Sequence, residues 1–342
     1  MTDFYTLDDQ GQVAALKQFS ETALSHWSLE GSQLSLIKYR ENAVFEVLTS
    51  EQKRYALRIH RYGYHSDEEL DSELRWMKAL QEADIDVPNV VPTVDGNLFV
   101  LLNAGDVPEP RQVDLFEWVN GEQLGSIEHS LNDVGQVRKT FEIIGQLAAR
   151  VHNQAVQWKV PANFTRHRWD VDGLVGADPF WGRFWELDVL TDDQRELVLR
   201  ARDRVEKDLS DYAEKYKDKP YFSLIHADLV AENLLVEGDT VRLIDFDDAG
   251  FGWHLFELAT ILYFEQGENY YEEAFSALIN GYRMERNLSD EQLGYMPLFF
   301  LARSFTYLGW VHTRPETQTA KELAPMLVEK CCNLAHAYLT KR

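Results

Sequence analysis

The chain is short of cysteine: it has two in 342 residues, and these, Cys331 and Cys332, are neighbours. Adjacent cysteines in a helical pattern close a mutual disulfide only under strain, and no zinc-type spacing surrounds them, so both are expected as reduced core thiols. Basic residues are in deficit as well, 34 Lys and Arg against 57 Asp and Glu, for a formal charge of −23. That charge opposes attraction to nucleic acid or to an anionic membrane surface and favours a cationic partner, unless it serves solubility alone. Long apolar runs are missing too. The longest, Met296 to Val311, includes Pro297 and Arg303 and falls short of the ~20 residues that span a bilayer, so it reads as a core helix. Met1 to Ser20 lacks the basic start and apolar centre of a secretory signal, which points to the cytoplasm.

What the chain does hold is concentrated in SLIHADLVAENLLVEGDTVRLIDFDDAG, from Ser223 to Gly250. Two short polar loops carry His226, Asp228, Asn233, Asp245, Asp247 and Asp248, and each is entered from an apolar β-type run, Phe222 to Ile225 or Val241 to Ile244. Leu234 to Val236 reads as a further strand, with Glu237-Gly238-Asp239 as the turn that pairs it with the next. This hairpin brings Asn233 and Asp245 close enough to share a cation, and their oxygens are hard ligands of the kind Mg²⁺ takes beside phosphate and water. Asp228 stands at the other end of the loop from Asn233, where it could orient a hydroxyl and accept its proton. His226 reads as a loop-fixing hydrogen-bonding residue in preference to an acid or base.

The spacing His-x-Asp-x-x-x-x-Asn, followed by an apolar strand and Asp-Phe-Asp, resembles the catalytic and metal loops of the protein-kinase-like superfamily. Ala227 between the His and the Asp, and Asp247 where protein kinases carry glycine, make the chain more similar to the aminoglycoside phosphotransferase and choline kinase family, near its type II homoserine kinases and bacterial stress-response kinases. The resemblance implies an α+β, bilobal, protein-kinase-like fold: a small antiparallel-sheet N-lobe with one helix over residues 1–117, and a larger, mainly α-helical C-lobe over 118–342. It spans nearly the entire chain, with strong motifs in the second part and weak ones in the first hundred residues.

In the first part, Leu34 to Lys38, Ala43 to Thr49 and Tyr55 to Arg61 read as a meander of three strands. The resemblance puts the nucleotide phosphates at the first connection, which has no glycine, so Asn42 and the amides of Ala43 and Val44 are expected there. Ala56 and Arg58 match the small residue over the base and the cation on the α- and β-phosphates, with Arg in place of Lys and a forked geometry in place of a point charge. A helix opens at Ser66 with Glu69 as its capping box, and Glu73 lies within the stripe Leu70, Leu74, Met77 and Leu80. Either a cation faces Glu73, for which the resemblance supplies Arg58, or Glu73 flanks the stripe and reaches water. Val90 to Val94 and Leu98 to Leu102 read as a hairpin about Asp95-Gly96, and Val113 to Val119 as the last strand. The resemblance then places the adenine edge on the backbone of Glu117, Trp118 and Val119, with ATP and GTP both open.

The second part reads as helical from Asn132 to Ala155, Thr191 to Tyr216, His254 to Gln266, Tyr270 to Met284, Asp290 to Thr313 and Thr319 to Thr340. Asn163 to Thr191 breaks periodicity and crowds tryptophans with carboxylates. Those rings are either core or a surface for an ammonium group through cation–π contact, in which case Asp170, Asp178 and Asp247 are the carboxylates expected on the acceptor's side. The expected activity is transfer of the γ-phosphoryl group of ATP or GTP, with Mg²⁺, to a hydroxyl of a small molecule such as an amino alcohol or aminosugar. A protein Ser/Thr kinase of the stress-response type and a non-catalytic nucleotide-binding module are the alternatives.

Overall fold

Alternation along Ala43–Leu48 (β2) buries Ala43, Phe45 and Val47 on one face, and this face organises the first half of the chain. In the computed structural model, β2 lies between Gln33–Tyr39 (β1) and Arg54–Ile59 (β3). Phe99–Leu102 (β4) and Arg111–Glu117 (β5) complete a five-stranded antiparallel sheet of order β1-β2-β3-β5-β4. The structure describes residues 4–40, 42–124, 134–238 and 240–340, so Asn132 and Asp239 of the expected helix and turn lie outside the described residues. The chain divides into two compact units, 1–121 with 160–165 and 122–159 with 166–342.

Unit 1 adds a helix to the expected one. Asp9–Ala23 (α1) is capped by Asp8, whose Oδ1 accepts from Gly11 N at 2.8 Å, and it buries Leu16, Phe19 and Ala23 against Phe45, Val47, Leu57 and Leu115. The expected helix, Asp67–Gln81 (α2), has its capping box: Ser66 Oγ accepts from Glu69 N, and Glu69 Oε2 accepts from Ser66 N at 2.9 Å. The hairpin over 90–102 does not form. Pro92 offers no N–H, the amides of Val91 and Val94 donate to Leu115 and His26, and only Thr93 to Asn97 closes a tight turn, so β4 pairs with β5 alone.

Unit 2 carries two small sheets. Thr240–Leu243 (β10), Leu234–Glu237 (β9) and Glu122–Gln123 (β6) form one. Arg168–Trp169 (β7), Gly250–Trp253 (β11) and Phe222–Ile225 (β8) form the other. The helices are Val134–Gln157 (α3), Val171–Val175 (α4), Asp192–Lys215 (α5), His254–Tyr263 (α6), Tyr271–Glu285 (α7), Asp290–Leu293 (α8), Met296–His312 (α9) and Gln318–Thr340 (α10). Helices α3 and α7 approach at Gly281, where a Cβ would stand 1.9 Å from the carbonyl oxygen of Glu142, so only glycine fits. The single helix expected from Asp290 to Thr313 is broken at Gly294-Tyr295, since Pro297 is tolerated only in the first turn of a new helix. Among the described residues no helix is long and apolar enough to cross a membrane.

Candidate functional site

Strand β8 delivers His226-Ala227-Asp228 to a loop whose backbone is held from beneath. The fully buried Glu257 of α6 accepts from His226 N at 2.9 Å through one carboxylate oxygen and from Ala227 N at 2.7 Å through the other. This clamp fixes Ala227 at φ 64°, the left-handed region that costs a residue with a Cβ about 1–2 kcal/mol. Burial pushes the Glu257 carboxyl up, but His152 and the His226 N–H more than offset it, leaving the group below the ordinary range and ionised. The His226 ring ties the two loops together: Nε2 donates to Ile244 O at 3.0 Å, and Nδ1 accepts from Asp228 N at 3.3 Å.

Asp228 is held on both oxygens. Oδ2 accepts from Asn233 Nδ2 at 2.8 Å, and Oδ1 accepts from Nη2 of the fully buried Arg303 on α9 at 2.9 Å. Asn233 Nδ2 also donates to Asp228 O at 2.9 Å, so the amide nitrogen faces Asp228 and its oxygen faces away. Ile244 N donates to Asn233 O at 3.0 Å, and Leu234 pairs with Leu243, so Asp245 is the first residue beyond that tie, at φ 66°. An amide oxygen and a carboxylate on adjoining loops make a hard donor set that fits a small divalent ion sharing its shell with phosphate and water.

The loop after Asp245 is braced from the aromatic, acidic segment over 163–191. Arg166 donates to the carbonyls of Phe246, Asp247 and Ala249, while His167 Nε2 and Trp169 Nε1 reach the Asp248 carbonyl at 2.9 and 3.1 Å. Asp247 is buried within this loop. Asp170 caps α4 through Gly173 N at 3.1 Å and pairs with Arg168 at 2.8 Å, so both its oxygens are committed inside the chain. Asp178 is exposed, 3.6 Å from Arg183. The aromatic segment is chiefly core: Trp169, Trp181 and Phe184 are buried, and Trp185 is covered by Arg202.

In unit 1 the expected cation does face Glu73. Arg58 Nη2 donates to Glu73 Oε1 at 2.8 Å, and a second carboxylate, absent from the sequence reading, takes the other side of the fork: Asp114, opposite Arg58 on β5, accepts from Nη2 at 2.6 Å and from Nε at 3.1 Å. His60 Nε2 lies 3.0 Å from Asp114 Oδ2. Burial raises the Asp114 carboxyl, but Arg58 and His60 prevail and hold it down at about 2. Ala56, half-buried, pairs with Phe116. Of the three amides expected at the adenine edge, Glu117 N donates to Asn89 O at 2.8 Å and Trp118 N to Arg54 O at 3.3 Å, while Val119 follows the end of β5. Asn42 Oδ1 accepts from Arg61 N at 2.9 Å, and Ala43 and Val44 sit in the ladder between β1 and β3, where their amides serve the sheet.

Glu257, Arg303, Arg166 and Asp114 are the residues that sequence reasoning missed. Asp114, Glu257 and Arg303 each left a signal, as a charge within an apolar strand or helix.

The phosphotransferase enzyme family matches residues 36–288. A microcompartment-associated aminopropanol kinase of known structure aligns with a TM-score of 0.81 at 31% identity, over 94% of this chain and 97% of that one. The amicoumacin kinase of Bacillus subtilis strain 168 is 21% identical over 321 residues, 90% of this chain and 88% of that protein. An amicoumacin kinase solved with AMP-PNP, Ca²⁺ and Ami gives a TM-score of 0.75 at 20% identity over 96% of each chain. The fold is thus the α+β, protein-kinase-like one shared by these enzymes.

Proposed function

The chain belongs to the phosphotransferase enzyme family, a small-molecule kinase acting on an alcohol group, and from that premise we propose that it transfers the γ-phosphoryl group of ATP to the hydroxyl of an amino alcohol. One observation carries the reading: Asp228, at the head of a loop clamped by Glu257, is held on both oxygens by Asn233 and Arg303. A carboxylate so oriented accepts the proton of a hydroxyl as its oxygen attacks phosphorus in line. Asn233 and Asp245 are assigned to Mg²⁺, which when bound neutralises charge on the β- and γ-phosphate oxygens. Within unit 1, Arg58 is assigned to the non-transferred phosphates, Ala56 to the base, and Val119, with the carbonyls of Glu117 and Trp118, to the adenine edge. Arg58 already serves Glu73 and Asp114, so its contribution is a fixed orientation more than a surplus of charge.

The likeness to an aminopropanol kinase at 31% identity and the formal charge of −23 support a cationic acceptor. Asp178, exposed, remains a candidate for its ammonium group; Asp170 and Asp247 do not, being committed to a helix cap and a buried loop. A protein acceptor is disfavoured, because β11 begins at Gly250 and α6 at His254, leaving no activation segment after Asp245. The test is ADP release over a panel of amino alcohols, aminosugars, neutral polyols and a Ser/Thr peptide, with product identified by mass. Turnover confined to neutral polyols or to the peptide would overturn the amino alcohol reading.

A further inference from the structure

Arg166 and Arg303 are both buried in unit 2, yet they use their guanidinium groups in opposite ways. Arg166 spends its donors on three backbone carbonyls, as a residue that fastens a loop should. Arg303, fully buried, makes its hydrogen bonds through Nη2 alone, to Asp228 Oδ1 and to Tyr307 Oη, each at 2.9 Å. Its Nε and Nη1 have no hydrogen-bond partner among the described residues. The guanidinium carbon lies 4.2 Å from the Tyr307 ring centre, 4.9 Å from Trp181 and 5.5 Å from Phe256, so the ion is caged by π faces. An apolar side chain of similar length would fill that cage without desolvating a charge. It could not hold Asp228.

We propose that Arg303 is a positioning residue of the phosphoryl transfer, setting the direction of the Asp228 carboxylate from a rigid aromatic cage. This rests on the reading of Asp228 as the proton acceptor. Asn233 belongs to the same loop as Asp228 and moves with it, whereas Arg303 comes from α9, 75 residues away, and gives the carboxylate a reference fixed outside the loop. The cage also explains why the tryptophan-rich segment does not offer Trp181 to a cationic substrate: the chain's own cation already occupies it.

The test compares Arg303→Met, Arg303→Lys, Asp228→Asn and the double variant Asp228→Asn/Arg303→Met, by kcat, both KM values and thermal midpoint. Arg303→Met should lower kcat by about 10²-fold, the loss expected when a reacting group is misplaced by ~1 Å, with each KM within about 3-fold of wild type. Arg303→Lys keeps the charge but loses the planar fork, and should fall about 10-fold in kcat, between the two. In the Asp228→Asn background the methionine should cost less than about 3-fold further, since the group it positions is already gone. Full additivity in the double variant, a loss confined to KM, or wild-type kcat in Arg303→Met would overturn the proposal. Should Arg303→Met not fold, Arg303→Lys decides it, wild-type kcat being the contrary result. Undiminished turnover in Asp228→Asn would instead overturn the reading on which the proposal rests.

Discussion

Asp245 and Asp248 share one loop but have different surroundings, and their replacement should separate them. Asp248 is fixed through its backbone carbonyl by His167 and Trp169, contacts that alanine keeps, while Asp245 follows directly on the tie between Ile244 and Asn233. Asp245→Ala should abolish turnover at every Mg²⁺ concentration, and Asp248→Ala should retain most of it. Equal losses in a Mg²⁺ titration would mean that the ligand is misassigned. Asp228→Asn should keep the fold and lower kcat by ~10²–10⁴, the usual contribution of a positioned base. At this scale the sequence disclosed the polar residues at strand ends, because type and spacing are local. It did not disclose what Glu257 and Arg303 hold: each shows as a charge in an apolar helix, but the loop it reaches lies 31 or 75 residues away in the chain.

Helix α6 is the element that holds the loop, and a single atom exchange tests it. Glu257→Gln replaces one of two acceptors with an N–H donor, leaving the amide of His226 or Ala227 facing a donor in a fully buried place. An unmet buried donor costs about 1–3 kcal/mol. For a unit of this size that amounts to a fall in thermal midpoint of roughly 2–12 °C, and an unchanged midpoint would show that the clamp is dispensable. Elements with strong local signals, such as β2 with its alternation and α2 with its capping box, were legible in advance. The hairpin over 90–102 was not, since its fate turned on where the Val91 and Val94 amides found carbonyls, and that is set by β5 and His26. Helix α1 carries its polar cap plainly, but its packing partners lie on strands further along the chain.

Across the whole molecule, buried titratable groups predict two steps of acid sensitivity. Burial holds His152 and His254 below the ordinary histidine value of 6.5, His254 well below it. Unfolding frees them to take up protons, so their contribution is complete above pH about 6.5 and is lost as the pH falls below it. Asp114, held at about 2, contributes roughly 2 kcal/mol that is full above the ordinary carboxylate value and disappears as the pH falls from about 4 to about 2. A plot of thermal midpoint against pH should decline in these two windows; a midpoint flat from pH 7 to pH 5 would contradict the first. Transfer of a phosphoryl group to an amino alcohol, with Asp228 as proton acceptor, is decided by incubating γ-labelled ATP and Mg²⁺ with aminopropanol and either wild type or Asp228→Asn, under conditions where both bind the nucleotide equally. Label should appear in an aminopropanol phosphate ester with wild type and be at least about 10²-fold less with the variant; equal transfer by the two proteins, or no labelled ester from either, would refute this assignment.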